Sequence, residues 1–409
     1  MATATKTYEY AVRDRSGKLV KGRVEASNQA AVANRLREMG LAAVSISEVR
    51  TGGFNTEIAI PGLSNRITLK DLAIMARQLA TMIEAGISLL RALSILADQT
   101  ESKALAKIVA QVRNDVEVGT AFSVALAKHP VVFPPLMINM VKAGEVGGFL
   151  DQVLLSVANN FEAEVKLRGK VKSAMTYPVV VLVIALLAVT GMLLFIVPVF
   201  AGIFASMGGT LPLPTRILMS ASSFLKIGLI PMIVIAIAFS VWWGKNKHKR
   251  SIRERIDPIK LKTPVFGNLF QKIALSRFTR NFGTMIHAGV PILQALDIVG
   301  ETSGNYVIEK AVRAVQDSVR RGESLAGPLA QHPVFPPMVV QMLAVGEDTG
   351  AVDTMLEKVA DFYDDEVEAT TEQLTSLIEP IMIVGIGAII GAMVIAMYMP
   401  IFGVFNLIQ

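Results

Sequence analysis

Four histidines are the first candidates for chemistry in this chain, and their spacing offers little of it. His129 and His332 each precede a proline, His248 lies in a basic run, and His287 has no second histidine within a helical turn. No His-Glu-x-x-His or comparable ligand spacing occurs, so the reading has no metal site. Cysteine is absent, which removes thiolate ligands and disulfides. Lys18, Lys170 and Lys245 each follow a glycine, but no Ser or Thr comes next. A phosphate-cradling G-x-x-x-x-G-K-S/T loop is therefore excluded. No nucleophile–base constellation stands out, and the expectation is a protein with no catalytic residues and no cofactor.

Two glutamates are more telling. Glu145 stands in Gly144-Glu145-Val146-Gly147, and Glu347 in Gly346-Glu347-Asp348-Thr349-Gly350. Such glycine-rich turns resemble phosphate loops only superficially, because a carboxylate repels phosphate. A carboxylate can instead satisfy free amides at a helix start. The helix that follows, sixth in its segment, is the expected recipient; contact with a partner protein is the other reading.

Charge spacing gives a third constellation. Asp361, Asp365, Glu368, Glu372 and Glu379 recur at helical intervals and form one acidic stripe. Their counterparts, 202 positions earlier, are Asn159, Ala163, Lys166, Lys170 and Tyr177. Two readings stand: two separately solvated faces, or two helices facing each other with Lys166 and Lys170 opposite the acids, within or between protomers.

These counterparts are set by an internal repeat. Thr81-Met82-Ile83 recurs at Thr284-Met285-Ile286, 203 positions on, and His129-Pro130 recurs at His332-Pro333 with the same offset. One extra valine in the first copy then makes the offset 202. Phe133-Pro134-Pro135 matches Phe335-Pro336-Pro337, and Gly144-Glu145 matches Gly346-Glu347. Within each copy, apolar residues recur at helical spacing and stop at glycines such as Gly86 and Gly289. Ser88 and Ser102 are expected caps for the helices that follow them. Six helices per copy result.

Composition says what these helices enter. Of 409 residues, 52% are hydrophobic and only 18% charged, a low charge for a soluble protein of this length. Three apolar stretches, 175–200, 223–243 and 381–405, approach or exceed the roughly 20 residues that cross a bilayer. They carry almost no ionisable groups; Lys226 and Glu379 lie at edges. That argues against an ion path and hence against a transporter. The net charge of +6 is modest and no basic, aromatic-laced tail occurs, so nucleic acid is not an expected partner. Lys166, Arg168, Lys170 and Lys172 precede the first span and six Lys and Arg follow the second, while the loop between them holds only Arg216. By the positive-inside rule the N-terminus is cytoplasmic and the C-terminus external. No cleavable signal peptide opens the chain, by the same reading.

The fold class expected is mainly α: a polytopic membrane protein with two repeated cytoplasmic six-helix bundles, three transmembrane helices and a small N-terminal α/β module. The domains are an α/β module at 1–50 and a linker at 51–67. Bundle 1 follows at 68–172 and transmembrane helix 1 at 173–200. An external loop at 201–222 leads to transmembrane helix 2 at 223–243. Bundle 2 at 244–379 precedes transmembrane helix 3 at 380–405. The module is read as a hairpin turning at Asp14-Arg15-Ser16-Gly17, a helix capped by Ser27, and a third strand.

These motifs carry a resemblance. Two Arg-x-x-x-Thr-Met-Ile-x-Ala-Gly segments, from Arg77 to Gly86 and from Arg280 to Gly289, are each followed by Phe-Pro-Pro and Gly-Glu. The sequence is similar to the inner-membrane platform proteins of type IV pili, the PilC family, and to the related protein F of type II secretion systems. The N-terminal YEYAVRDRSGKLVKGRVEAS segment resembles the family's opening module. The resemblance implies a role without catalysis, in which cytoplasmic bundles engage a hexameric motor ATPase and pilins are lifted from the bilayer into a fibre. It implies type IV pilins, other inner-membrane pilus assembly proteins and membrane lipids as partners, and a homo-oligomer, with a dimer favoured. Arg77, Gly86, Pro134, Gly144, Glu145 and Gly147, with Arg280, Gly289, Pro336, Gly346, Glu347 and Gly350, are the motif positions expected to serve structure or partner contact. A secretion platform driving a pseudopilus is the alternative.

Overall fold

The structure is a computed structural model that describes residues 6–13, 19–26, 29–38, 43–48, 67–206, 212–247 and 249–405. The expected hairpin turn at residues 14–17, the cap at Ser27 and nearly all of the linker at 51–67 lie outside these. The chain divides into two compact units, 1–66 and 67–409.

In the first unit, alternating residues build three strands: β1 (Lys6–Arg13), β2 (Leu19–Ala26) and β3 (Ala43–Glu48). β1 lies in the middle and pairs antiparallel with both neighbours, Tyr8 standing opposite Val24 on one side and Glu48 on the other. Helix α1 (Gln29–Glu38) buries Val32 and Leu36, one helical turn apart.

The second unit is helical. It begins with α2 (Leu69–Glu84), opened by a capping box in which the Thr68 hydroxyl and the Asp71 carboxylate accept each other's backbone N–H. Helices α3 (Leu89–Gln99), α4 (Lys103–Glu117), α5 (Phe122–Ala127) and α6 (Pro135–Gly147) follow. Ser102 caps α4 through its side chain, whereas Ser88 makes no such bond at the start of α3. Then comes the long α7 (Leu150–Gly191), which passes through a π turn at Met192–Ile196 into α8 (Val197–Ser206).

Helix α9 (Leu213–Asn246) starts ahead of the expected span and covers residues read as external loop. The apolar run alone bounds the expected span, whereas the helix begins earlier, with Pro212 as N-cap and Pro214 in the first turn, where a missing N–H costs nothing. A further helix, α10 (Arg250–Lys262), forms in the basic run. The remaining elements are α11 (Phe266–His287), α12 (Ile292–Thr302), α13 (Tyr306–Arg320), α14 (Ala326–Ala330), α15 (Pro337–Thr349) and α16 (Val352–Phe405).

The helices α2 to α7 and α11 to α16 share local geometry. Pro134 and Pro336 both hold extended backbone (ψ 151° and 154°) as N-caps, and the next proline opens α6 or α15. Both helices end on a left-handed glycine, Gly148 (φ 77°) and Gly350 (φ 71°), which ends the helix without the Cβ clash any other residue would bring. Their buried side chains form one connected cluster and not two separate cores. It includes Leu79, Leu96, Phe122 and Met137 from the first set, and Phe282, Leu296, Val312 and Leu343 from the second. Phe278 meets the edge of Phe335 with ring centroids 5.2 Å apart. A second, smaller cluster of Leu167, Leu269, Val367 and Leu374 holds α7, α11 and α16 together.

Among the described residues three helices, in α7–α8, α9 and α16, are long and apolar enough to cross a membrane. Their outward side chains are bare within the protein: Leu186, Ile235 and Ile381 are about two-thirds exposed. Only hydrocarbon makes such a surface favourable. Small hydroxyls tie the spans together. Thr215 donates to the Ala396 carbonyl at 2.6 Å, and Ser222 to the Leu193 carbonyl in the π turn at 2.6 Å.

Candidate functional site: clamps, caps and the helix pair

Arg77 projects from α2 onto α7, where it donates to both carboxylate oxygens of Glu162 at 2.6 Å and to Asn159 at 2.5 Å. Arg280 projects from α11 onto α16 and donates to Asp361 at 3.0 Å and Asp364 at 2.6 Å. Both arginines therefore fasten the first helix of a segment to its sixth. Arg77 does so with the planar fork of its guanidinium, two parallel bonds to one carboxylate, whereas one Nη of Arg280 bridges two carboxylates. Ser276 also donates to Asp364. The hydrogen bond from Arg77 holds the Glu162 carboxyl below its usual pKa and raises the arginine's.

A pH dependence follows. A depressed carboxylate stabilises the fold fully above its ordinary pKa and loses that contribution as pH falls through the lowered native value. Glu162→Gln is expected to lower the thermal midpoint of the detergent-solubilised chain at pH 7. The difference from the parent should close as a pH series descends through the carboxylate range; a constant gap at every pH counts against the clamp.

Glu145 and Glu347 do satisfy free amides, but not at the expected place. Glu145 accepts from the N–H groups of Phe122 (2.5 Å) and Ser123 (3.0 Å), and Glu347 from those of Leu325 (2.5 Å) and Ala326 (3.0 Å). These are the starts of α5 and α14, the fourth helices of their segments, not of α7 and α16. The partner is 21 to 23 residues upstream, so both oxygens are engaged inside the protein. The glycine before each glutamate has a separate task. A Cβ on Gly346 would lie 2.9 Å from the Val352 Cα, and one on Gly144 would lie 3.0 Å from the Val153 side chain, so α15 and α6 approach the next helix closely. Gly147 is inside α6 and aligns with Thr349; the residue matching Gly350 is Gly148. Gly86 and Gly289 both take positive φ just after α2 and α11.

The acidic stripe is divided between partners. Lys170 on α7 donates to Glu368 on α16, within one protomer, and the bond holds the ammonium above its usual pKa. Asp361 is taken by Arg280. Asp365 and Lys166 are exposed and line a depression of about 300 Å³ beside Lys170. Glu372 is exposed and has no ion-pair partner among the described residues. The two segments are also joined by Glu164 of α7, which receives Arg277 of α11 at 2.7 Å, and by Asn160 donating to Asn281 at 3.0 Å. Lys170→Glu is expected to lower the thermal midpoint, and adding Glu368→Lys to restore most of it. Both side chains are partly exposed, so the coupling is about 0.5–1 kcal/mol. Independent, additive losses in the double-mutant cycle contradict the pairing.

Comparison with known proteins places this geometry. A family model described as type II secretion system protein F matches residues 75–198 and again 278–400, and the model of that protein's N-terminal domain matches residues 1–47. The chain belongs to the type II secretion system protein F family. The chain is 46% identical over 399 residues to the type IV pilus assembly protein PilC of Thermus thermophilus, covering 97% of each. It is 41% identical over 408 residues to PilC of Myxococcus xanthus, covering 99% of this chain and 97% of that one. It is 32% identical over 406 residues to the type II secretion system protein F of Xanthomonas campestris, covering 98% and 99%.

Each copy of the protein F domain thus contains one arginine clamp and one glutamate cap. The family and the three apolar helices together make this a multi-pass inner-membrane protein. Of the clamp carboxylates, Asp361 stood in the stripe, but Asp364 and Glu162 were missed from sequence. Asp364 lies one position off the stripe's spacing, and Glu162, its counterpart 202 positions earlier, stands between Phe161 and Ala163 with no acidic stripe around it.

Proposed function

We propose that this chain is the inner-membrane platform of a type IV pilus assembly machine, coupling a cytoplasmic motor ATPase to insertion of pilins into the fibre. The observation that carries the reading is the higher identity to proteins named for type IV pilus assembly, 46% and 41%, than to secretion proteins at 32%, at equal coverage. Geometry supports a coupling role. Helix α16 is 54 residues long, about 80 Å at 1.5 Å per residue, and runs from the Arg280 clamp into the last span without interruption. A push on α11 reaches the bilayer through one continuous helix, which carries Pro380 at the entrance to the span. The distribution of Lys and Arg favours cytoplasmic bundles, a cytoplasmic N-terminus and an external C-terminus. Two six-helix bundles, an N-terminal α/β module, and association as a dimer complete the reading. The chain has a mechanical and not a catalytic part in it.

Near-full-length similarity to type II secretion proteins keeps a second reading, a platform for a pseudopilus. Deleting the gene separates the two. The pilus reading predicts loss of surface fibres, with pilin retained in the membrane and secreted enzymes unchanged. Fibres retained with secretion lost would transfer the chain to the second reading.

A further inference from the structure

At the level where α7 leaves α11 and becomes wholly apolar, the two helices leave a groove of about 460 Å³. Its wall is Val171, Met175, Val179 and Val180 of α7, with Ile273 of α11. Val179 and Val180 are about half exposed, so the groove is continuous with the bare surface of the span. Arg168, Lys172 and Arg277 also line it. They sit toward one end along α7: Arg168 and Lys172 flank Val171 and precede Met175, Val179 and Val180, the last by about two to three turns. Glu164 accepts from Arg168 at 2.5 Å and from Arg277 at 2.7 Å, and Lys172 has no acidic partner among the described residues. Three cations against one carboxylate leave this rim with an excess of two positive charges.

We propose that the groove binds an anionic phospholipid, one acyl chain lying along Val179, Met175 and Ile273 and the phosphate held by Lys172 and Arg168. The ligand chemistry is dictated by the pairing of parts. A free phosphate has no use for an apolar trough opening onto hydrocarbon, and an uncharged lipid has no use for the cationic rim. Size fits, since small-molecule sites of a few hundred Å³ are usual. A cation near an anionic leaflet gains further from the surface potential. The site bridges α7 and α11, so an occupying lipid fastens the first protein F domain's span to the second domain. This depends on α7 entering the bilayer, not on which machine the chain serves.

The test is native mass spectrometry of the full-length chain in detergent, titrated with dioleoylphosphatidylglycerol or dioleoylphosphatidylcholine. The first phosphatidylglycerol is expected to bind about tenfold tighter than phosphatidylcholine. Arg168→Gln with Lys172→Gln should erase that preference, while Lys107→Gln with Lys142→Gln, which removes the same charge from exposed positions elsewhere, should keep it. Thr176→Trp, which fills the groove below the cations, should weaken both lipids and serves as the deciding variant if the charge variant misfolds. Equal binding of the two lipids, equal loss in both charge variants, or undiminished binding by Thr176→Trp overturns the proposal. Displacement of the lipid by an equal concentration of inorganic phosphate also overturns it, by assigning the cations to a free anion.

Discussion

Glu145→Ala combined with Glu347→Ala is expected to lower the thermal midpoint of the full-length chain by about 10 °C. Each carboxylate closes two backbone N–H groups at the start of a short helix. Hydrogen bonds to a charged acceptor contribute about 1.5–3 kcal/mol, and these are half-buried, so about 2–3 kcal/mol per site is reasonable. The sites share no partner, so the effects should add. For a unit this large each kcal/mol shifts the midpoint by about 2 °C. Glutamine at both positions should recover roughly half the loss, because its single carbonyl oxygen accepts for one N–H while its amide hydrogens face the other. Single changes within about 1 °C of the parent would mean that water replaces the carboxylates.

The second large effect is expected at the junction that hands the chain from α9 and α10 to the second protein F domain. Gly267 opens α11, and a Cβ there would lie 2.3 Å from the Leu261 carbonyl oxygen and 2.9 Å from its carbon. Those atoms are backbone and cannot turn aside. Gly267→Ala must separate α10 from α11 and is expected to destabilise by about 3 kcal/mol, at the upper end for overpacking. Its neighbour gives the control. Val265 holds φ at 72°, the left-handed region that a β-branched residue avoids, and is 56% exposed. Val265→Gly therefore relieves about 1 kcal/mol of strain at little loss of burial, after glycine's own entropy is counted. Opposite shifts in midpoint for two substitutions two residues apart are the expected pattern; shifts of the same sign contradict the geometry.

Local chemistry was legible in the sequence, and distant contacts were not. The paired prolines opening α6 and α15 announce themselves, because a ring that fixes φ and lacks an N–H acts on its own residue. The motif arginines stood out by recurrence, yet recurrence could not say what they hold: Asn159 and Glu162 lie more than 80 residues from Arg77. The glutamates were assigned to the nearest following helix, and the fold carried them to the fourth helix instead. Nothing within one segment of sequence could choose between two helix starts equally short of acceptors. Helix α10 escaped notice because its Lys and Arg read as a flank to the span, and because Pro258 lies within it. The acidic stripe left two readings, solvated faces or one opposing helix. The structure gives part of it to Arg280 and part to Lys170, since α16 passes both α11 and α7.

The platform reading is tested most directly by gentle detergent purification of the tagged, full-length chain from its native cell, with chemical cross-linking and mass spectrometry of what accompanies it. The account predicts a hexameric secretion-type ATPase cross-linked to the lysines of the helical segments, together with type IV pilins. Recovery of the chain with neither, and with a soluble substrate-binding protein or a stable small molecule instead, would contradict it.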